Sequence, residues 1–302
     1  MFFCKKRFLG YFLFAVFYFQ IVNAGEDTHT SDVTINSDTT NQQTIGDGGN
    51  NVTLINNATI NNADDNGSVQ SADNLSGVTV INNVGGVIKQ GGAFDGTVVA
   101  ERNTNFTLIN SGTIESNDGQ AVNIKLTTDA VITNNTGGVI TAKRNAIRCT
   151  ASCTNPTINN FGTISARQEG AIRLNVATGA IINNNVGGIV DGTGDEGGLH
   201  TVQIGNNGTL TNSGTIRRID DGAPSLVRTK TAIIFQGNNG TVLLKDDSIL
   251  VGSIRSNELK TGSKLQIDHG YGRSYMYHTI GELELSDLSG NRIVKGSATS
   301  VG

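Results

Sequence analysis

One phrase recurs along this chain and constrains it more than any other feature: apolar residues, an Asn, a small residue and Gly, then a β-branched pair. It reads Leu54-Ile55-Asn56-Asn57-Ala58-Thr59-Ile60, then Val80-Ile81-Asn82-Asn83-Val84-Gly85-Gly86-Val87-Ile88. The anchoring Asn positions 56, 82, 110, 134, 159, 184 and 212 lie 26, 28, 24, 25, 25 and 28 residues apart. Short copies at Asn110, Asn159 and Asn212 carry Gly-Thr-Ile, and long copies at Asn82, Asn134 and Asn184 carry Gly-Gly before two β-branched residues. A second phrase runs in phase: Ala121-Val122-Asn123-Ile124, Ala146-Ile147-Arg148-Cys149 and Ala171-Ile172-Arg173-Leu174, with an echo at Ala232-Ile233-Ile234-Phe235. Two phrases in fixed order over seven copies make a structural repeat.

Each phrase alternates apolar and polar residues, the pattern of a strand with one buried face. A unit of about 25 residues holds two or three such strands and cannot close a core alone. Stacked in register, the units give an all-β, right-handed parallel β-helix, the hand being that of parallel crossovers generally. Composition agrees. The chain has 39 Gly, 35 Asn, 2 Pro and no Trp, and nine of its 16 aromatics fall between Phe2 and Phe19. The interior is left to Ile, Val, Leu and Ala. Gly and Asn suit positive-φ corners, repeated Asn can stack as amide ladders, and central ladders exclude Pro. Gly has no period of three, which excludes collagen.

The first 24 residues read as an address. Lys5, Lys6 and Arg7 precede an apolar run from Phe8 to Phe19, and Val22-Asn23-Ala24 sets small residues before Gly25. This is the layout of a secretory signal peptide cleaved between Ala24 and Gly25, and the run is short of the ~20 residues of a membrane span. Residues 25–50 read as a polar N-terminal segment, 51–250 as coils, 251–287 as a capping segment and 288–302 as a linker. Without the leader, 19 basic residues face 26 acidic ones, a formal charge of −7. Nucleic-acid binding needs a basic footprint and is set aside.

Candidate chemistry is sparse. Cys149 and Cys153 are expected to form a small disulfide around Ala151-Ser152 in an exported chain, with a redox or metal pair as the weaker alternative. Arg148 and Arg173 fall at equivalent positions one coil apart, as do Lys143 and Arg167, giving two basic columns that could contact acidic glycans or lipid headgroups. Acidic groups occur at Asp64-Asp65, Asp191 with Asp195-Glu196, Asp220-Asp221 and Asp246-Asp247. Most adjoin turn residues, and neighbours on a strand point to opposite faces, so a doublet is not an acid/base pair. Asp191-Gly192-Thr193-Gly194-Asp195-Glu196 resembles a Ca²⁺ loop only weakly and reads as a Gly-rich corner. No cofactor motif, no catalytic set and no nucleophilic-serine motif is found in the sequence.

The phrases Asn-Ser-Gly-Thr-Ile (110–114 and 212–216) and Asn-Asn-x-Gly-Gly-x-Ile (134–140) resemble the passenger domains of bacterial autotransporters, the type V secretion family. The resemblance spans about residues 50 to 302. Thr241–Leu244, Ser248–Ile254 and Leu265–Gly272 are similar to the last passenger coils, where the family places a cap that aids folding; Tyr271, Tyr275 and Tyr277 suit such an end. The resemblance implies a surface-displayed, adhesin-like rod with a host surface or glycan as receptor, and an outer-membrane β-barrel to follow. The chain stops at Gly302, so the expectation is a fragment or truncated reading frame, or a barrel encoded separately. Alone, such a chain would stop in the periplasm. A polysaccharide lyase or hydrolase on the same fold, and a non-functional product of an interrupted gene, stand as the alternatives.

Overall fold

The computed structural model describes residues 25–63, 67–92, 96–193, 200–219 and 230–296, so the proposed leader lies outside the described residues. Every described element is a strand, and every strand pairing is parallel. Two sheets have 11 strands each and the third has eight. Each complete coil contributes one strand to the first sheet, one to the second and one to the third, so the chain is a three-faced parallel β-helix. Eleven ladder rungs at about 4.8 Å make a rod of roughly 50 Å.

Local alternation sets what faces inward. In the second and third sheets strands such as Thr107–Asn110 and Thr113–Ser116 bury every second residue. The inward columns stack Leu54, Val80, Leu108, Ile132, Ile158, Ile182, Leu210 and Val242 in one sheet, all buried. Stacked β-branched side chains have few rotamers to lose, which favours this interior over an aromatic one. Only Phe106 and Phe235 are fully buried aromatics among the described residues. Cys149 sits in the first-sheet core between Ile124 and Leu174, bonded to Cys153 with Cα atoms 6.2 Å apart, as its spacing anticipated.

The corners divide Gly and Asn into two roles. Between the first and second sheets, successive coils place Asn51, Gly77, Asn105, Asp129, Asn155, Gly179, Asn207, Asn239 and Gly262 at φ between 48° and 73°. These residues tolerate the left-handed region, so the chain turns there in every coil. Between the second and third sheets the Asn side chains instead point inward. Asn56, Asn82, Asn110, Asn134, Asn160, Asn184 and Asn212 are buried, and each Nδ2 donates to the next Oδ1 at 2.8–3.0 Å. The register corrects one anchor: Asn160, not Asn159, pairs with Asn134 and Asn184. A shift of one residue reverses the face, so Asn159 is on the outside.

Glycine explains the alternation of long and short corners. In the long corner Gly137 turns at φ 80° with open space around it. In the short corner a Cβ on Gly162 would lie 2.2 Å from the Gly138 carbonyl oxygen of the coil before. Short corners rest on long ones, and only Gly fits.

The solenoid starts ahead of residue 51. Glu26–His29 and Gln42–Ile45 open the first sheet and Val33–Ile35 opens the second, so residues 25–50 are coil rather than a separate segment. At the other end the third sheet stops at Ile249–Val251 while the other two sheets continue to Thr279–Ile280 and Glu284–Asp287. Tyr275 and Tyr277 pack on the core there, and Tyr277 Oη lies 2.6 Å from His269 Nε2. Tyr271 differs from expectation and is 86% exposed, because it sits in a turn beyond the last packed layer.

Candidate ligand-binding face

Polar chemistry collects on the outward column of the first sheet and on the corner that leads into it from the third sheet. The phrase Ala-Ile-Arg explains the first part. Ala146, Ile147 and Cys149 are buried, so the intervening Arg148 must face out, and the same holds for Arg173 between Ile172 and Leu174. Register then lines up Asn123, Arg148, Arg173, Gln203, Ile234 and Arg255 in successive coils. The two Arg columns anticipated from the repeat therefore exist as neighbours. Lys143 and Arg167 are likewise one coil apart, since the Arg167 N–H donates to the Ala142 carbonyl at 3.0 Å, as that of Lys143 does to Ser116 at 3.0 Å.

This column is an outward face that is not fully solvated. Asn123, Gln203 and Ile234 are only 4%, 3% and 3% exposed, and the two guanidinium groups are half-buried. Burial, then the neighbouring Arg173, holds the Arg148 guanidinium below its ordinary pKa, opposed by Glu169. Glu169 Oε2 reaches Arg173 Nη1 at 3.5 Å, and Arg173 Nε donates to Asn175 Oδ1 at 3.4 Å. At the corner Lys143 Nζ meets Asp118 Oδ1 at 2.6 Å. That hydrogen bond and charge hold the Asp118 carboxyl below its usual range, with Arg144 and Arg167 adding to the effect. Asn145 is fully buried beneath, and its Nδ2 ties this corner to the Gly170 carbonyl at 2.8 Å.

Beyond Gly170 the face continues into a cleft of about 460 Å³ lined by His200, Ile234, Gln236, Arg255, Asn257 and Glu258. His200 Nδ1 is buried without a hydrogen-bond partner. Burial first, then Arg255 and Arg218, pushes its imidazole down to about 4, so His200 is neutral at pH 7. Sequence reasoning missed His200, Gln203 and Arg255. Their coil reads Thr201-Val202-Gln203-Ile204, with Thr in place of the expected Ala, and arrives 30 residues after Ile172 instead of 25. The signal that finds it is the buried small-residue column of Ser68, Thr97, Ala121, Ala146, Ala171 and Thr201.

The acidic groups take other places. Asp191 belongs to the strand Ile189–Thr193, not to a Gly-rich corner, and it pairs with Arg217 of the next coil. Both guanidinium contacts, Nε to Oδ1 and Nη2 to Oδ2, hold that Arg above its ordinary pKa. Asp246 and Asp247 occupy the turn after Thr241–Lys245, with Asp247 at φ 64°. Asp64-Asp65, Asp195-Glu196 and Asp220-Asp221 lie outside the described residues, as does Ala24; Gly25 donates its N–H to Asn41 Oδ1 at 3.2 Å. Among the described residues no group of three or more His, Cys, Asp and Glu is arranged to hold a metal ion. No protein-family model matches the chain, and no curated protein matches it in sequence. The demonstrable class is a parallel β-helix of repeated coils bearing a half-buried basic face.

Proposed function

We propose that this chain is an exported, autotransporter-type passenger rod that acts as an adhesin-like interaction protein. The first-sheet face is its contact surface for a host surface or glycan receptor. One observation carries the reading. Over residues 117–123, 143–148 and 167–173 five cations, Lys143, Arg144, Arg148, Arg167 and Arg173, accompany two acids, Asp118 and Glu169, on a chain of net charge −4. Like charges stacked on neighbouring strands cost stability, and a charged partner offsets that cost. The repeat phrases and the rod shape support the family reading, and the leader sequence supports export.

The test is display. The chain, fused ahead of an outer-membrane β-barrel, is placed on a bacterium and adhesion to an epithelial monolayer is counted. Adhesion well above the barrel alone is expected. No adhesion, together with product release when the purified chain is mixed with acidic polysaccharides, overturns the reading in favour of a β-helical enzyme. Deleting residues 1–24 should leave the chain in the cytoplasm, and export without them would sink the leader assignment.

A further inference from the structure

Resting on that reading of the first-sheet face, we infer that the stripe running from Lys143 and Arg148 across Arg167 and Arg173 binds a linear acidic glycan, a chain bearing repeated carboxylate or sulfate groups laid along the rod axis.

Geometry selects a linear polyanion. The cations repeat from coil to coil, so they form a line along the rod at the ladder spacing of about 4.8 Å, not an isolated cluster. Arg148 and Arg173 are partners in register, and both sit in a trough whose outward neighbours Asn123 and Gln203 are more than nine-tenths buried. Guanidinium groups match planar carboxylate or sulfate by paired hydrogen bonds. The internal acid does not neutralise them: Glu169 reaches only Arg173, at 3.5 Å, while Arg148 is partly desolvated beside a like charge. Amides at Asn123 and Gln203 flank the two Arg positions and can bond sugar hydroxyls. The residues of the stripe include no aromatic, so it offers neither a stacking platform for bases nor one for the faces of neutral sugars.

Titration of the purified full chain with heparin and with polygalacturonate, by calorimetry, tests this. Neutral dextran and vesicles of anionic phosphatidylglycerol serve as comparison probes. Binding of at least one polyanion is expected, weakening as NaCl rises, with no binding of dextran. Arg148→Ala/Arg173→Ala should lose at least tenfold in affinity while keeping the wild-type far-UV circular dichroism. Arg148→Lys/Arg173→Lys should lose less, and Glu169→Gln should bind more tightly because the competing carboxylate is gone. Arg102→Ala, on the opposite corner beside Asp73, should bind as wild type. Equal polyanion affinity in the folded double Ala variant, or binding to the vesicles alone, overturns the inference. If the displayed rod adheres to cells and neither heparin competition nor the double variant reduces adhesion, the glycan assignment falls and the interaction reading stands. If the rod does not adhere at all, the interaction reading itself falls.

Discussion

Replacing Asn134 by Leu removes one rung of the buried amide ladder while nearly conserving volume. Asn134 Nδ2 lies 3.0 Å from Asn160 Oδ1, 3.1 Å from the Gly138 carbonyl and 3.1 Å from the Thr163 carbonyl, and its Oδ1 accepts from Asn110 Nδ2 at 2.8 Å. Two N–H groups and one acceptor make three hydrogen bonds at about 1 kcal/mol each, so the cost should be roughly 3 kcal/mol. The same change at Asn212 supplies an internal control. The next rung is Leu244, so the ladder ends there and Asn212 Nδ2 is buried without a partner. Asn212→Leu deletes that orphan and gives up the bonds accepted from Asn184 Nδ2 at 2.8 Å and Gly214 N–H at 3.3 Å. Asn184 Nδ2 keeps the Gly188 and Thr215 carbonyls. The two effects nearly cancel, leaving a change within about 1 kcal/mol of zero. Outward Asn135, bonded only to Ser111 Oγ at 2.9 Å among the side chains, should cost less than about 1 kcal/mol. Urea unfolding followed by circular dichroism reads all three. If Asn134→Leu and Asn212→Leu prove equally harmless, the ladder contributes geometry without stability and the reasoning fails.

Further expectations follow from single contacts. Cys149→Ser/Cys153→Ser should cost about 2 kcal/mol by the chain-entropy relation for so short a loop, and the variant should lose the response of the wild type to reductant. Gly162→Ala should destabilise more than Gly137→Ala, because its Cβ would meet the Gly138 carbonyl at 2.2 Å while Gly137 has only its φ of 80° to lose; thermal midpoints rank the two. His200 binds its proton less readily folded, at about 4, than unfolded, near 6.5. Between those values the unfolded chain holds more protons, so stability should fall as pH drops through this window. His200→Gln should flatten that part of the profile in urea titrations at stepped pH.

Much of the architecture was legible in the residues themselves. Alternation of period two, a repeat near 25 and Gly and Asn at its seams determine stacked strands with an aliphatic interior. They also set Arg148 over Arg173 and Lys143 beside Arg167, since a repeat puts equivalent positions one coil apart. The Cys pair was readable for a similar local reason: its two ends are four residues apart. Register between coils was not readable, because it depends on the length of each corner. That is why Asn160 rather than Asn159 joins the ladder and why Asp191 meets Arg217 instead of opening a loop. The same dependence hid His200 and Gln203, which reach the first-sheet face only after a longer corner. Side-chain alternation is a property of neighbouring residues, so sequence alone determined the strands. Which strand lies over which is a pairing across 24 to 31 residues, and only the folded coil decided it.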